Sequence, residues 1–134
     1  MPEPVIAAAP LVLLVEDNPV NQIMGKAMLK KQGCDIVTAD DGAQAVAAVQ
    51  QQRFDLILMD CQMPVMDGFA ATAAIRALVQ SGSIAPCPII AVTGNDQEGD
   101  AAQCLAAGMD DYIKKPMALD DVTRILTRWV TSAS

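Results

Sequence analysis

Leu11-Val12-Leu13-Leu14-Val15-Glu16-Asp17-Asn18-Pro19 packs three signals into one short run. Its unbroken apolar stretch suits a strand buried on both faces, since a half-exposed strand would alternate with polar residues. Two carboxylates follow at once, where such a strand would leave the core. Asn18-Pro19 then opens a helix: asparagine caps it, and proline fits the first turn, where its missing N–H is not needed. Gly33 stops that helix after Gln32.

The same alternation repeats outward from this run. Residues 36–39 read as a second strand, and Asp41 caps a helix over 42–52. Residues 56–59 form a third strand that runs straight into Asp60. Asp67-Gly68 starts a helix with Ala71, Ala74, Ile75 and Leu78 at helical spacing. Residues 81–88 are a loop, 89–92 a fourth strand, and a polar loop then leads into a helix ending at Gly108. Tyr112-Ile113 marks a short fifth strand. The last helix carries Val122, Ile125, Leu126, Trp129 and Val130 on one face. Ala118 stands where its cap should be, which predicts a frayed first turn. Strict alternation of strand and helix means parallel strands joined by right-handed crossovers, hence an α/β doubly wound sheet covered on both faces. Such sheets carry their sites at the carboxyl ends of the strands.

Bulk composition narrows the function. A chain of 134 residues fits one domain. Sixteen acidic against nine basic residues give a net charge of −7, which argues against direct binding to a nucleic-acid backbone. No apolar run approaches the roughly 20 residues of a membrane helix, and no basic stretch precedes the apolar N-terminus as in a secretory signal. A cytoplasmic protein is expected. Cys34, Cys61, Cys87 and Cys104 form no C-x-x-C pair and read as reduced and mostly buried. The absence of histidine removes a histidine triad, histidine metal ligands and a phosphohistidine donor role for this chain.

Function should therefore sit at the strand ends. These hold Glu16-Asp17, Asp60, Thr93 and, after the fifth strand, Lys115-Pro116. Taken singly each is ordinary: acidic residues complement a helix dipole, a strand-terminal aspartate forms turns, and a lysine sits in solvent. Together they bring three carboxylates, a hydroxyl and an ammonium to one edge. Three close carboxylates repel, so they call for a raised pKa or a cation, and magnesium prefers oxygen ligands and keeps several waters.

Leu13-Leu14-Val15-Glu16-Asp17-Asn18, the run from Leu58 through Asp60-Cys61-Gln62-Met63-Pro64 to Asp67-Gly68, Ala91-Val92-Thr93-Gly94, and Asp110-Asp111-Tyr112-Ile113-Lys114-Lys115-Pro116 resemble the response-regulator receiver domain of two-component signalling. The resemblance covers residues 11–130. The wording around Asp60 and in Glu16-Asp17-Asn18-Pro19-Val20-Asn21 is most similar to receivers of hybrid histidine kinases. It implies a flavodoxin-like (βα)5 fold with strand order 2-1-3-4-5, occupying residues 11–131. Residues 1–10 would be a tail or linker remnant and 132–134 a C-terminal tail.

The resemblance implies that Asp60 is the phosphoacceptor. Glu16, Asp17, Asp60 and the backbone carbonyl of Gln62 would hold Mg2+, with Mn2+ as a substitute. Lys115 would pair with the acceptor and then the phosphoryl group, Thr93 would bond a phosphoryl oxygen, and Tyr112 would act as the aromatic switch. A cis Lys115-Pro116 peptide is also implied. Gly94, where the family more often has alanine, and Ala70, where hybrid-kinase wording often has glutamate, depart from the pattern. The donor would be a histidine kinase or a histidine phosphotransfer protein.

Two enzyme-like rivals fit less well. A magnesium phosphatase would want a second aspartate where Gln62 stands, and a flavin or nucleotide binder would want a phosphate loop where Glu16-Asp17 stand. A degenerate receiver acting only as a binding module is disfavoured by the intact residue set. The chain is expected to be a stand-alone regulator or a receiver from a hybrid kinase, not itself an enzyme. On the first helix Val20, Ile23, Met24, Ala27 and Met28 form an apolar arc, with Leu29 nearly opposite. One helix on a sheet cannot bury both sides, so Val20, Ile23 and Ala27 are expected to dock the donor.

Overall fold

Strand and helix alternate in the order β1 (Leu11–Val15), α1 (Pro19–Lys31), β2 (Asp35–Ala39), α2 (Gly42–Gln51), β3 (Leu56–Asp60), α3 (Gly68–Gln80), β4 (Ile89–Thr93), β5 (Asp111–Lys114) and α4 (Leu119–Trp129). The computed structural model describes residues 10–60, 68–93, 105–114 and 117–130. Most of the helix expected before Gly108 lies outside them. Its end is described: the Gly108 N–H returns to the Leu105 carbonyl at 3.1 Å.

The strands form a parallel sheet in the order β2-β1-β3-β4-β5, the flavodoxin-like arrangement expected. Side chains on a strand alternate between faces, so the apolar strands feed two cores. Leu13, Val15, Ile57 and Met59 pack with Ala45 and Val49 of α2 and with Ala71 and Ile75 of α3. Val12, Leu14, Leu56 and Leu58 pack on the other face with Leu29 of α1 and with Val122 and Ile125 of α4. Every residue of β3 and β4 is buried. Each ladder runs slightly beyond the apolar run that announces its strand, so β3 takes in Asp60 and β4 takes in Thr93.

The helix ends follow local chemistry. The Asn18 side chain accepts from the N–H groups of Val20 and Asn21 at 2.8 and 3.2 Å, and Asp41 accepts from Gln44 at 2.8 Å. Gly33 adopts φ +85°, the left-handed conformation that a helix stop of this kind requires. At α4 the expected fraying overlooks Asp121. Ala118 has no acceptor to offer, yet its own N–H donates to the Asp121 carboxylate at 2.9 Å, so half of a capping box holds the turn. Gly25 serves close approach: a Cβ there would lie 2.9 Å from Leu14 Cδ2, so glycine lets α1 settle onto β1.

Two polar brackets fasten the β5 edge of the sheet. Arg76, the sole charged residue of α3, donates to the Gly108 carbonyl at 2.8 and 2.6 Å, to the Cys87 carbonyl at 3.2 Å and to Asp110 at 2.7 Å. Asp110 in turn accepts from the Ile89 N–H at 2.8 Å, so α3, β4 and the approach to β5 share one knot. One residue on, Asp111 accepts from Trp129 Nε1 at 3.1 Å and from Arg124 at 3.4 Å, while the Arg128 guanidinium lies 5.5 Å over the indole. Cys34 and Cys87 are free and buried, as expected, while Cys61 and Cys104 lie outside the described residues. Burial pushes the Cys87 thiol up to about 12, with Asp55 adding to the shift and Arg76 opposing it. Cys34 is raised by burial and by Asp35 and Asp55. Among the described residues no helix is long and apolar enough to cross a membrane.

Replacing Arg76 by alanine strands the Asp110 carboxylate and two carbonyls in a half-buried site. Urea unfolding should show a loss of about 2 kcal/mol, the range for charged hydrogen bonds.

Candidate functional site

β1 and β3 are neighbours and end within one residue of each other, Val15 pairing with Met59. The residues that come next are therefore delivered to one edge: Glu16 after β1, and Asp60 as the last residue of β3. Ligand oxygens of Glu16, Asp17 and Asp60 all lie within 4.8 Å of one another. Glu16 and Asp60 are buried at 6% and 1% exposure, whereas Asp17 faces solvent. Like charges this close, two of them withdrawn from water, repel strongly. An all-oxygen set open on one side fits a hard divalent cation that retains waters, as magnesium does.

The backbone around Glu16 is held on every side. Its N–H donates to the Ala39 carbonyl at 3.0 Å, and its own carbonyl accepts from Gln22 Nε2 at 2.6 Å. Its carboxylate accepts from the Asn18 N–H at 3.2 Å and from the Asn21 amide at 3.5 Å. Sequence reading gave Asn21 and Gln22 no role, although two adjacent amides on the first turns of α1, directly after Glu16-Asp17, are a visible signal. Gln22 Nε2 also donates to Asp40 at 2.8 Å, and the Asp40 N–H donates to Gln44 Oε1 at 2.8 Å.

Thr93 is buried at the end of β4, where it pairs with Lys114 of β5. Tyr112 lies opposite Ala91 and packs, partly buried, against the α2/α3 core. Lys115, Gln62, Gly94 and the Lys115-Pro116 peptide lie outside the described residues; Ala70 is exposed on α3. Along α1, Val20 and Ile23 are 62% and 67% exposed, and Met24 and Ala27 are exposed too, while Gly25 and Leu29 are buried. A cleft of about 270 Å³ opens beside Glu16, walled by Leu14, Met24, Met28, Val92 and Met117. Another, of about 210 Å³ and lined by Phe54, Ile57, Ile84 and Cys87, sits at the opposite end of the sheet, away from the carboxylates.

The family model described as response regulator receiver domain matches residues 12–127. The chain belongs to that family. This receiver domain is 40% identical, over 126 residues, to the sensor protein GacS of Pseudomonas syringae pv. syringae. That match takes in 94% of the receiver chain but only 14% of GacS, so the chain spans about one seventh of the curated relative it matches. A solved receiver domain of a Pseudomonas aeruginosa PAO1 sensor histidine kinase, with magnesium coordinated in its active-site cleft, is 48% identical. It superposes with a TM-score of 0.82 over 93% of this chain and 100% of its own. The co-crystal structure of the Saccharomyces cerevisiae phosphotransfer protein Ypd1 with the receiver domain of Ssk1 matches at TM-score 0.85 and 32% identity. That match covers 90% of this chain and 88% of the other.

Without a cation the receiver's carboxylates work against folding. In chelator, Asp17→Asn should therefore stabilise the chain by about 1 kcal/mol, the Coulomb energy of one such pair near water, read from thermal melts.

Proposed function

We propose that this receiver domain is the phosphoacceptor module of a phosphorelay and that Asp60 takes the phosphoryl group. The observation that carries the reading is the convergence of Glu16 and Asp17 on Asp60, within 4.8 Å, at the end of a fully buried strand. An Asp60 oxygen attacks phosphorus in line. The bond to the donor nitrogen of a phosphohistidine, or to the acyl oxygen of an acyl phosphate, breaks as the leaving group departs with its electron pair. The protein supplies positioning and charge neutralisation more than covalent help. Glu16, Asp17, Asp60 and the Gln62 carbonyl would hold Mg2+, or Mn2+ in its place, which when bound offsets charge on the phosphoryl oxygens. Lys115 pairs with those oxygens in this reading, and Thr93 donates its hydroxyl to one of them. Lys115 and Gln62 take these roles from the family resemblance.

The product adds a doubly charged group with strong acceptor oxygens. Movement of Thr93 toward it would open space for Tyr112, and a two-state surface around β5 would be biased accordingly. The domain is thus a switch over residues 11–131 and not an enzyme. A place within a longer sensor protein, over a stand-alone regulator, is favoured by relatives such as the sensor protein GacS, of which the chain spans 14%; a cytoplasmic location follows from the sequence reading alone. The donor is a histidine kinase or phosphotransfer protein, and the exposed Val20, Ile23 and Ala27 on α1 are its docking face, since α1 begins beside the carboxylates. A net charge of −7 disfavours nucleic acid as a direct partner.

With Mg2+ and acetyl phosphate, intact mass should rise by one phosphoryl group, and chelation or Asp60→Asn should abolish the gain. Full labelling of that variant would refute the assignment. Ile23→Glu should slow transfer from the cognate phosphohistidine donor roughly tenfold or more, as loss of an interface anchor does, while acetyl phosphate labelling stays near wild type. Equal loss in both assays would mark Ile23 as structural, and no loss in either would move the docking face elsewhere.

A further inference from the structure

Among the described residues none donates a hydrogen bond to the Asp17 side chain, although that carboxylate completes the cluster with Glu16 and Asp60. Something else must aim it. The Glu16 carbonyl and the Asp17 nitrogen belong to one planar peptide unit, so whatever fixes that carbonyl fixes the direction in which Asp17 leaves the strand. The residue that does so is Gln22. Its Nε2 donates one hydrogen to the Glu16 carbonyl at 2.6 Å and the other to Asp40 at 2.8 Å. Asp40 is itself fixed, its N–H donating to Gln44 Oε1 at 2.8 Å, and Gln44 is held through its own N–H by Asp41 at 2.8 Å. Both hydrogens of a half-buried amide are thus used to clamp the Glu16-Asp17 peptide between the ends of β1 and β2.

We propose that Gln22 is the positioning residue of the cation site, setting the Glu16-Asp17 peptide plane so that the site selects a small divalent cation over a larger one. The inference rests on the reading that Glu16, Asp17 and Asp60 bind the cation. It follows from the demands of the ions: magnesium requires near-ideal octahedral geometry at short distances, whereas calcium accepts longer and more variable ones. A loosened peptide plane therefore penalises magnesium first.

Calorimetric titration of the full chain with Mg2+ and with Ca2+ tests this. Gln22→Met keeps the side-chain length and removes both donors. It should weaken Mg2+ binding roughly tenfold, the scale on which loss of a partner behind a metal ligand acts, and Ca2+ binding by no more than about threefold. The metal-free variant should still melt cooperatively, a few degrees below wild type, because two hydrogen bonds are lost with the amide. Unchanged Mg2+ affinity, or equal loss for both ions, overturns the proposal. Should Gln22→Met fail to fold, Asp40→Ala decides: it frees one end of the clamp at an exposed position and should lower Mg2+ affinity about threefold with Ca2+ little affected. No change there overturns the proposal equally. Asp17→Asn separates the two levels of the reading. Mg2+ binding that survives it places the cation elsewhere and fails the site assignment, whatever Gln22→Met does.

Discussion

Because both faces of the central strands are covered by helices, charge has no place along β3 or β4 and can appear only where those strands stop. All of β3 and β4 is buried, and Asp60 and Thr93 are their last residues. The near-level ending of β1 and β3 then brings Glu16 and Asp17 to Asp60 without any loop having to reach across. The site is in this sense a by-product of burial. The apolar cores on either side hold the sheet edge in place, and the edge collects the carboxylates.

That arrangement sets folding and chemistry against each other. Three carboxylates in one small volume repel one another where no cation is bound, and the polar frame around Glu16 holds one of them in place. Asn18, Asn21 and Gln22 all come from the first turns of α1, so the helix that caps itself with Asn18 also supplies the donors that steady the acidic corner. The same helix leaves Val20 and Ile23 in solvent. One element therefore serves the fold, the cation corner and, on the proposed reading, the partner.

The strands and the carboxylates at their ends were legible because each is written as a local pattern: an apolar run, an acidic stop, a cap; the strand order came with the family resemblance. What escaped reading was contact between side chains far apart in sequence. Arg76 gave a signal as the lone charge in an apolar helix, but its partners at Gly108 and Asp110 are known only once the chain is folded. Gln22 meets its partner only when the end of β2 brings Asp40 beside it. At α4 the poor cap at Ala118 was legible and its remedy, a carboxylate three residues on, was not weighed.

The aromatic poverty of the chain has an optical consequence. Trp129 is its single tryptophan, and its indole N–H is tied to Asp111, the residue just before Tyr112 on β5. The guanidinium of Arg128 lies over the same ring. Any shift of β5 against α4 must change the charge and hydrogen bonding felt by that one fluorophore. The molecule thus carries its own spectroscopic gauge for that edge of the sheet, with no background from a second indole and no label to add.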